Sequence, residues 1–167
     1  KAGMIEDLCA ISTAMHHTTP PSTQLPFAQA CENNQAPILA VLQTALQSSR
    51  HVLEIGSGTG QHSVYFAPRL PHLVWQTSDL PEHHAGIAAW HAAQPAPNLR
   101  GPIALDLHRN AWPQTADGVV NDAVDGAAGG AFDAVFTSNT CHIVAWPLVE
   151  RMFALVGQHL PVGGVFA

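Results

Sequence analysis

The sequence predicts an α/β fold, a mostly parallel sheet between layers of helix, and three observations carry that expectation. Short apolar runs alternate with helix-like segments along the chain. The clearest run, His51-Val52-Leu53-Glu54-Ile55, stops at Gly56-Ser57-Gly58-Thr59-Gly60, where a buried strand must turn sharply into a helix. Acids recur at the ends of such runs: Glu54, Asp79 and Asp106.

The elements follow in order. The chain through Pro26 is expected to be a loose arm, because Thr18-Thr19-Pro20-Pro21-Ser22 suits neither helix nor strand, and residues 27–167 form the domain. A helix is predicted from Pro37 to Gln47. Ile38, Val41, Leu42 and Ala45 share one face, Asn33 or Asn34 caps it, and Pro37 falls in its first turn. The strand 51–55 leads into a helix from Gln61 to Ala67. Leu73–Thr77 reads as a second strand, Pro81–Ala93 as a second crossover helix, and Pro102–Leu105 as a third strand. Between Asp117 and Gly130 a Gly-, Ala- and Asp-rich stretch is expected to be a flexible insertion. Phe132–Thr137 is the fourth strand. A helix from Pro147 to Leu160 places Met152, Leu155, Val156 and His159 on one face. Val165-Phe166-Ala167 begins a fifth strand, and further strands are expected beyond it. An open sheet edge there would favour a homo-oligomer.

Composition narrows the function. With 167 residues, 47% hydrophobic and 11% charged, the chain suits one packed domain. No run approaches the roughly 18 apolar residues of a membrane span, and residues 1–19 lack a secretory pattern. Cys9, Cys31 and Cys141 make neither a disulfide framework nor a zinc set, so a cytoplasmic setting is expected. Six Lys and Arg against a net charge of −6 disfavour nucleic acid and point to a small-molecule partner. The histidine pairs His16-His17 and His83-His84 point in different directions on a helix and make poor chelates, so no metal is expected.

The glycine loop allows three nucleotide ligands to be weighed. A phosphate loop needs Gly-Lys, and no lysine lies nearby. A dinucleotide fingerprint needs G-x-G-x-x-G, whereas Gly56, Gly58 and Gly60 are spaced G-x-G-x-G with Glu54 two residues before the first. That spacing suits a ligand with no pyrophosphate, such as S-adenosylmethionine. Asp79 is then expected to accept hydrogen bonds from both ribose hydroxyls, Asp106 to meet the adenine amino group with Leu107 against the ring, and Glu54 to act through the loop on the amino-acid end. The rival is that each acid merely caps the following helix.

Glu54-Ile55-Gly56-Ser57-Gly58-Thr59-Gly60, Asp79 and Asp106 resemble the motifs of class I methyltransferases. With Glu32-Asn33-Asn34-Gln35-Ala36-Pro37-Ile38, Gln61-His62, Ser78-Asp79 and Ser138-Asn139-Thr140-Cys141-His142-Ile143, the chain more narrowly resembles the DUF938 family, which includes the methyltransferase-like 26 proteins. That family usually carries Arg-Asn where Asn33-Asn34 stand here. The resemblance implies a Rossmann-like class I methyltransferase fold whose full sheet has seven strands. It also implies S-adenosylmethionine binding by Asn34, Glu54, Gly56, Ser57, Gly58, Gly60, His62, Asp79, Leu80, Asp106, Leu107 and Asn139.

Methyl transfer from a sulfonium needs nucleophile and methyl group held together away from bulk water. The segment after strand four lies beside the sulfonium in this fold, which makes Asn139 and His142 the catalytic candidates. His142 is placed as a base if the acceptor loses a proton. Trp112 and Trp146 are expected in the core rather than the pocket. The alternatives are an NAD-binding dehydrogenase and a non-catalytic cofactor-binding scaffold.

Overall fold

A computed structural model of the chain describes residues 25–109, 111–113 and 132–167. The arm before Leu25, His16-His17 and the 117–130 insertion lie outside the described residues. Five strands, β1 (His51–Ile55), β2 (Val74–Asp79), β3 (Leu99–Ala104), β4 (Ala134–Thr137) and β5 (Val165–Phe166), form one sheet in the order β3-β2-β1-β4-β5. Every pairing is parallel. The helices are α1 (Gln29–Ala45), α2 (Gln61–Phe66), α3 (His84–Ala93), α4 (Thr140–Ile143) and α5 (Trp146–His159). The expected Rossmann-like architecture is the one observed.

Side-chain alternation along the strands makes two cores. On one face Val52, Trp75, Ala134 and Phe136 pack with Leu42 and Leu46, at the end of α1, and with Phe66 of α2. On the other, Leu53, Ile55 and Val135 pack with Met152 and Val156 of α5. At the base of the sheet the Asp133 carboxylate accepts from the backbone N–H groups of Arg50 and His51, at 2.8–3.0 Å, and joins the start of β1 to that of β4.

Four expectations need correction. The first helix does not begin near Pro37 under an asparagine cap. It starts at Gln29, with Ala28 as its uncapped N-terminal residue and Pro37 in its interior. An interior proline removes a helical hydrogen bond and costs about 3 kcal/mol. Tertiary packing overrides that: Gln61 Oε1 accepts from Ala28 N at 2.6 Å, and Ile38, Leu39 and Leu42 seat the helix on the sheet. Asn33 and Asn34 lie inside the helix, and the Asn33 side chain accepts from Gln29 Nε2. The third strand starts at Leu99, before Pro102. β3 is an edge strand whose register shifts between the partners of Gln76 and Ser78, which accommodates a residue with no N–H. Trp146 is 69% exposed rather than in the core, its Nε1–H donating to Glu150. His159 does not join the buried stripe of α5; its ring stacks on Trp112 at 4.8 Å.

Gly60 shows one reason for a glycine in the turn. It sits at φ 89° before α2, and a Cβ there would stand 3.0 Å from the Ile87 backbone of α3. The two helices approach that closely only without a side chain. Among the described residues no helix is long and apolar enough to cross a membrane.

Candidate functional site

The sheet order reverses between β1 and β4, and in an open parallel sheet a crevice opens beyond the strand ends at such a switch point. A cavity of about 270 Å³ lies there. Its walls are Ile55, Gly56 and Gly58 from the β1 turn, Asp79, Leu80 and His83 after β2, and Leu105–His108 after β3. Thr140, Ile143, Val144 and Leu148 close it from α4 and α5. A groove of about 430 Å³ between α1 and the ends of β4 and β5 is larger, but it is more open and has no ionisable side chain in its walls.

Asp79 is the last residue of β2 and only 8% exposed. Its Oδ2 accepts from Gly58 N at 2.7 Å, and its Oδ1 accepts from Leu80 N and from His83 Nδ1, each at 2.7 Å. The carboxylate therefore joins the glycine turn to the end of the neighbouring strand. Gly56 N and Ser57 N both donate to Ser78 O at 3.0 Å, and Ser57 Oγ accepts from Ser78 N, so the whole turn is fastened to β2.

Gly58 supplies a test of fit for a ligand. It has φ 58°, lines the cavity, and no heavy atom lies within 4 Å of where a Cβ would stand. A side chain there would be strained and would meet no protein atom. An open backbone between a carboxylate and apolar walls suits a nucleoside with an amino-acid tail.

Asp106 and Leu107 also line the cavity. Asp106 Oδ1 accepts from His108 N at 2.9 Å, and Oδ2 lies 3.4 Å from Arg109 Nε. Asp106 thus caps a short turn while facing the crevice.

Of the residues expected at the cofactor, Gly56, Gly58, Asp79, Leu80, Asp106 and Leu107 share the cavity; the others do not line it. Glu54 points to the opposite face, 2% exposed, and accepts from Trp75 Nε1 at 3.0 Å. Burial raises its pKa from 4.5 to about 7; hydrogen bonds from Trp75 and Ser57 oppose the shift, and the Asp79 charge adds to it. Alternation explains the placement: Ile55, next along β1, takes the cavity side. Ser57 is taken up with Ser78, and Gly60 packs on α3. His62 donates from Nε2 to Asn34 Oδ1 at 2.8 Å and stacks on Phe66, and burial lowers its pKa, opposed by a hydrogen bond with the Cys31 backbone. His62 and Asn34 therefore tie α1 to α2. Asn139 and His142 are exposed beside the wall residues Thr140 and Ile143. Asn139 has φ 64°, a left-handed conformation at the start of α4 with no side-chain cap.

The chain matches the family described as "Protein of unknown function (DUF938)" over residues 25–167. It belongs to the DUF938 family. Among solved structures it is similar to the S-adenosylmethionine-dependent methyltransferase SibL in its apo form, with TM-score 0.63 and 17% identity over 81% of this chain and 35% of that one. An O-methyltransferase family protein from Burkholderia thailandensis gives 0.59 and 17% over 82% and 38%. SAM-bound CalS10, an amino pentose methyltransferase from Micromonospora echinaspora, gives 0.53 and 22% over 86% and 56%. These likenesses show the fold. The chain spans only about a third of the first two structures, 35% and 38%.

In this DUF938 chain the sequence reading missed Ile55, His83, Leu105, His108, Thr140, Ile143, Val144 and Leu148 as cavity residues. His83 had a readable signal, a histidine four residues after Asp79 across a Leu-Pro turn. Thr140 had none, because it meets Gly56 only through the pairing of β1 with β4: a Cβ on Gly56 would stand 2.5 Å from Thr140 Oγ1.

Proposed function

We propose that this DUF938 chain, as one of the methyltransferase-like 26 group, binds S-adenosylmethionine in the switch-point crevice and methylates a small-molecule acceptor. One observation carries the reading: a buried Asp79 carboxylate, bonded to the Gly58 backbone, stands at the wall of an apolar cavity with open glycine backbone beside it. The methyltransferases of similar fold, one with SAM bound and one complexed with (S)-adenosyl-L-methionine, support the choice of ligand.

The residues would divide the work. Asp79 accepts from the ribose, Asp106 and Leu107 face the adenine, and the Gly56–Gly58 backbone passes the amino-acid tail. The cofactor supplies a methyl group on a positively charged sulfur, open to displacement by a nucleophile. Asn139 orients the acceptor at the rim, and a ring nitrogen of His142 takes the proton from an acceptor oxygen or nitrogen. Val144 and Leu148 shield the cavity from water on that side.

Calorimetry with S-adenosylmethionine, S-adenosylhomocysteine and NAD tests the assignment. The first two are expected to bind and NAD not to. Binding of NAD alone would overturn it, and binding without turnover of any metabolite extract would leave a scaffold in place of an enzyme.

A further inference from the structure

Asp79 carries more partners than a ribose-binding carboxylate can keep. An ionised carboxylate offers about four lone-pair sites. Three are engaged: Gly58 N–H on Oδ2, and Leu80 N–H and His83 Nδ1–H on Oδ1. A vicinal diol donates two hydrogens and finds about one site open. The two backbone bonds belong to the glycine turn and the strand end. His83 is different: its side chain is 50% exposed against 10% for Asp79, and it stands in the cavity wall.

We propose that His83 is a latch on the nucleoside subsite, holding Asp79 through Nδ1–H and ceding its place to one hydroxyl of a ribose diol. The inference rests on the reading of the crevice as a nucleoside site. It makes His83 a competitor of the cofactor rather than one of its ligands.

Other ionisable groups face the pair. Glu82 and His84 share its turn, the latter donating from Nε2 to Asp79 O at 3.0 Å. Glu54 lies beneath the loop, Asp106 and His108 line the same cavity, and Arg109 lies 3.4 Å from Asp106. All of them remain in a His83 variant, so the difference between variant and parent isolates the latch.

The experiment is calorimetric titration of the parent chain, His83→Ala and His83→Gln with S-adenosylhomocysteine, adenosine and 2′-deoxyadenosine. His83→Ala is expected to bind S-adenosylhomocysteine about threefold tighter than the parent. His83→Gln, which keeps a neutral donor, should lie between them. Adenosine should gain more from His83→Ala than 2′-deoxyadenosine, which needs only one site. Equal affinities of parent and variants would overturn the latch, as would weaker binding by His83→Ala. Failure of all three proteins to bind would remove the cofactor reading itself, and the latch with it.

Discussion

The two walls of the crevice are built differently. On the β1–β2 side the polar side chains are tied to the turn: Asp79 joins Gly58, Leu80 and His83, and Ser57 joins Ser78. On the α4 side Thr140 is buried against Gly56, but the rest of the turn is open to solvent. Asn139 holds a left-handed backbone with no side-chain cap, His142 is exposed, and Ile143 is 81% exposed. A prebuilt wall suits a ligand of fixed shape, such as a nucleoside. The α4 turn has no such fixed polar framework, its Asn139 in the left-handed region that asparagine tolerates.

Breaking the built wall has the largest expected effect. Asp79→Ala leaves Gly58 N–H and Leu80 N–H without an acceptor, at about 1–3 kcal/mol for each group that finds no water. Denaturant unfolding should show that loss, and calorimetry should show cofactor affinity reduced by at least about tenfold. Unchanged affinity would take Asp79 out of the site.

Glu54, on the opposite face of β1, tests the strand behind that wall through pH. Its folded pKa of about 7 lies above the ordinary 4.5, so the folded state holds the proton more tightly than the unfolded state. Stability is then greatest in acid and falls as pH rises from 4.5 to about 7, levelling above that, by at most roughly 3 kcal/mol. Glu54→Gln, which keeps an acceptor for Trp75, should flatten that slope and stabilise the protein at about pH 8. A slope that survives the substitution would assign the titration elsewhere.

The open α4 turn should answer in turnover rather than stability. His142→Ala is expected to lower kcat about a hundredfold if it takes the acceptor proton, with S-adenosylhomocysteine affinity unchanged. Equal turnover would remove it from the mechanism. The smallest change belongs to Trp146→Ala, which should shift stability by less than about 0.5 kcal/mol.

The sequence by itself determined the alternation of strand and helix, the sharp glycine turn after Ile55 and the acids that follow β2 and β3. Each is a local matter: apolar period, left-handed backbone, and a polar residue where a buried strand meets water. It did not reveal the true start of α1, because Pro37 and two asparagines read locally as a helix beginning, while the anchor at Ala28 comes from Gln61, distant in the chain. Nor did it reveal that Glu54 faces away from the crevice, since the side a strand residue takes depends on which face packs α1 and which packs α5. Tertiary structure alone brought Thr140 against Gly56 and placed His83 and Asp106 in the walls of one cavity, for such contacts arise only when parallel strands separated in sequence pair side by side.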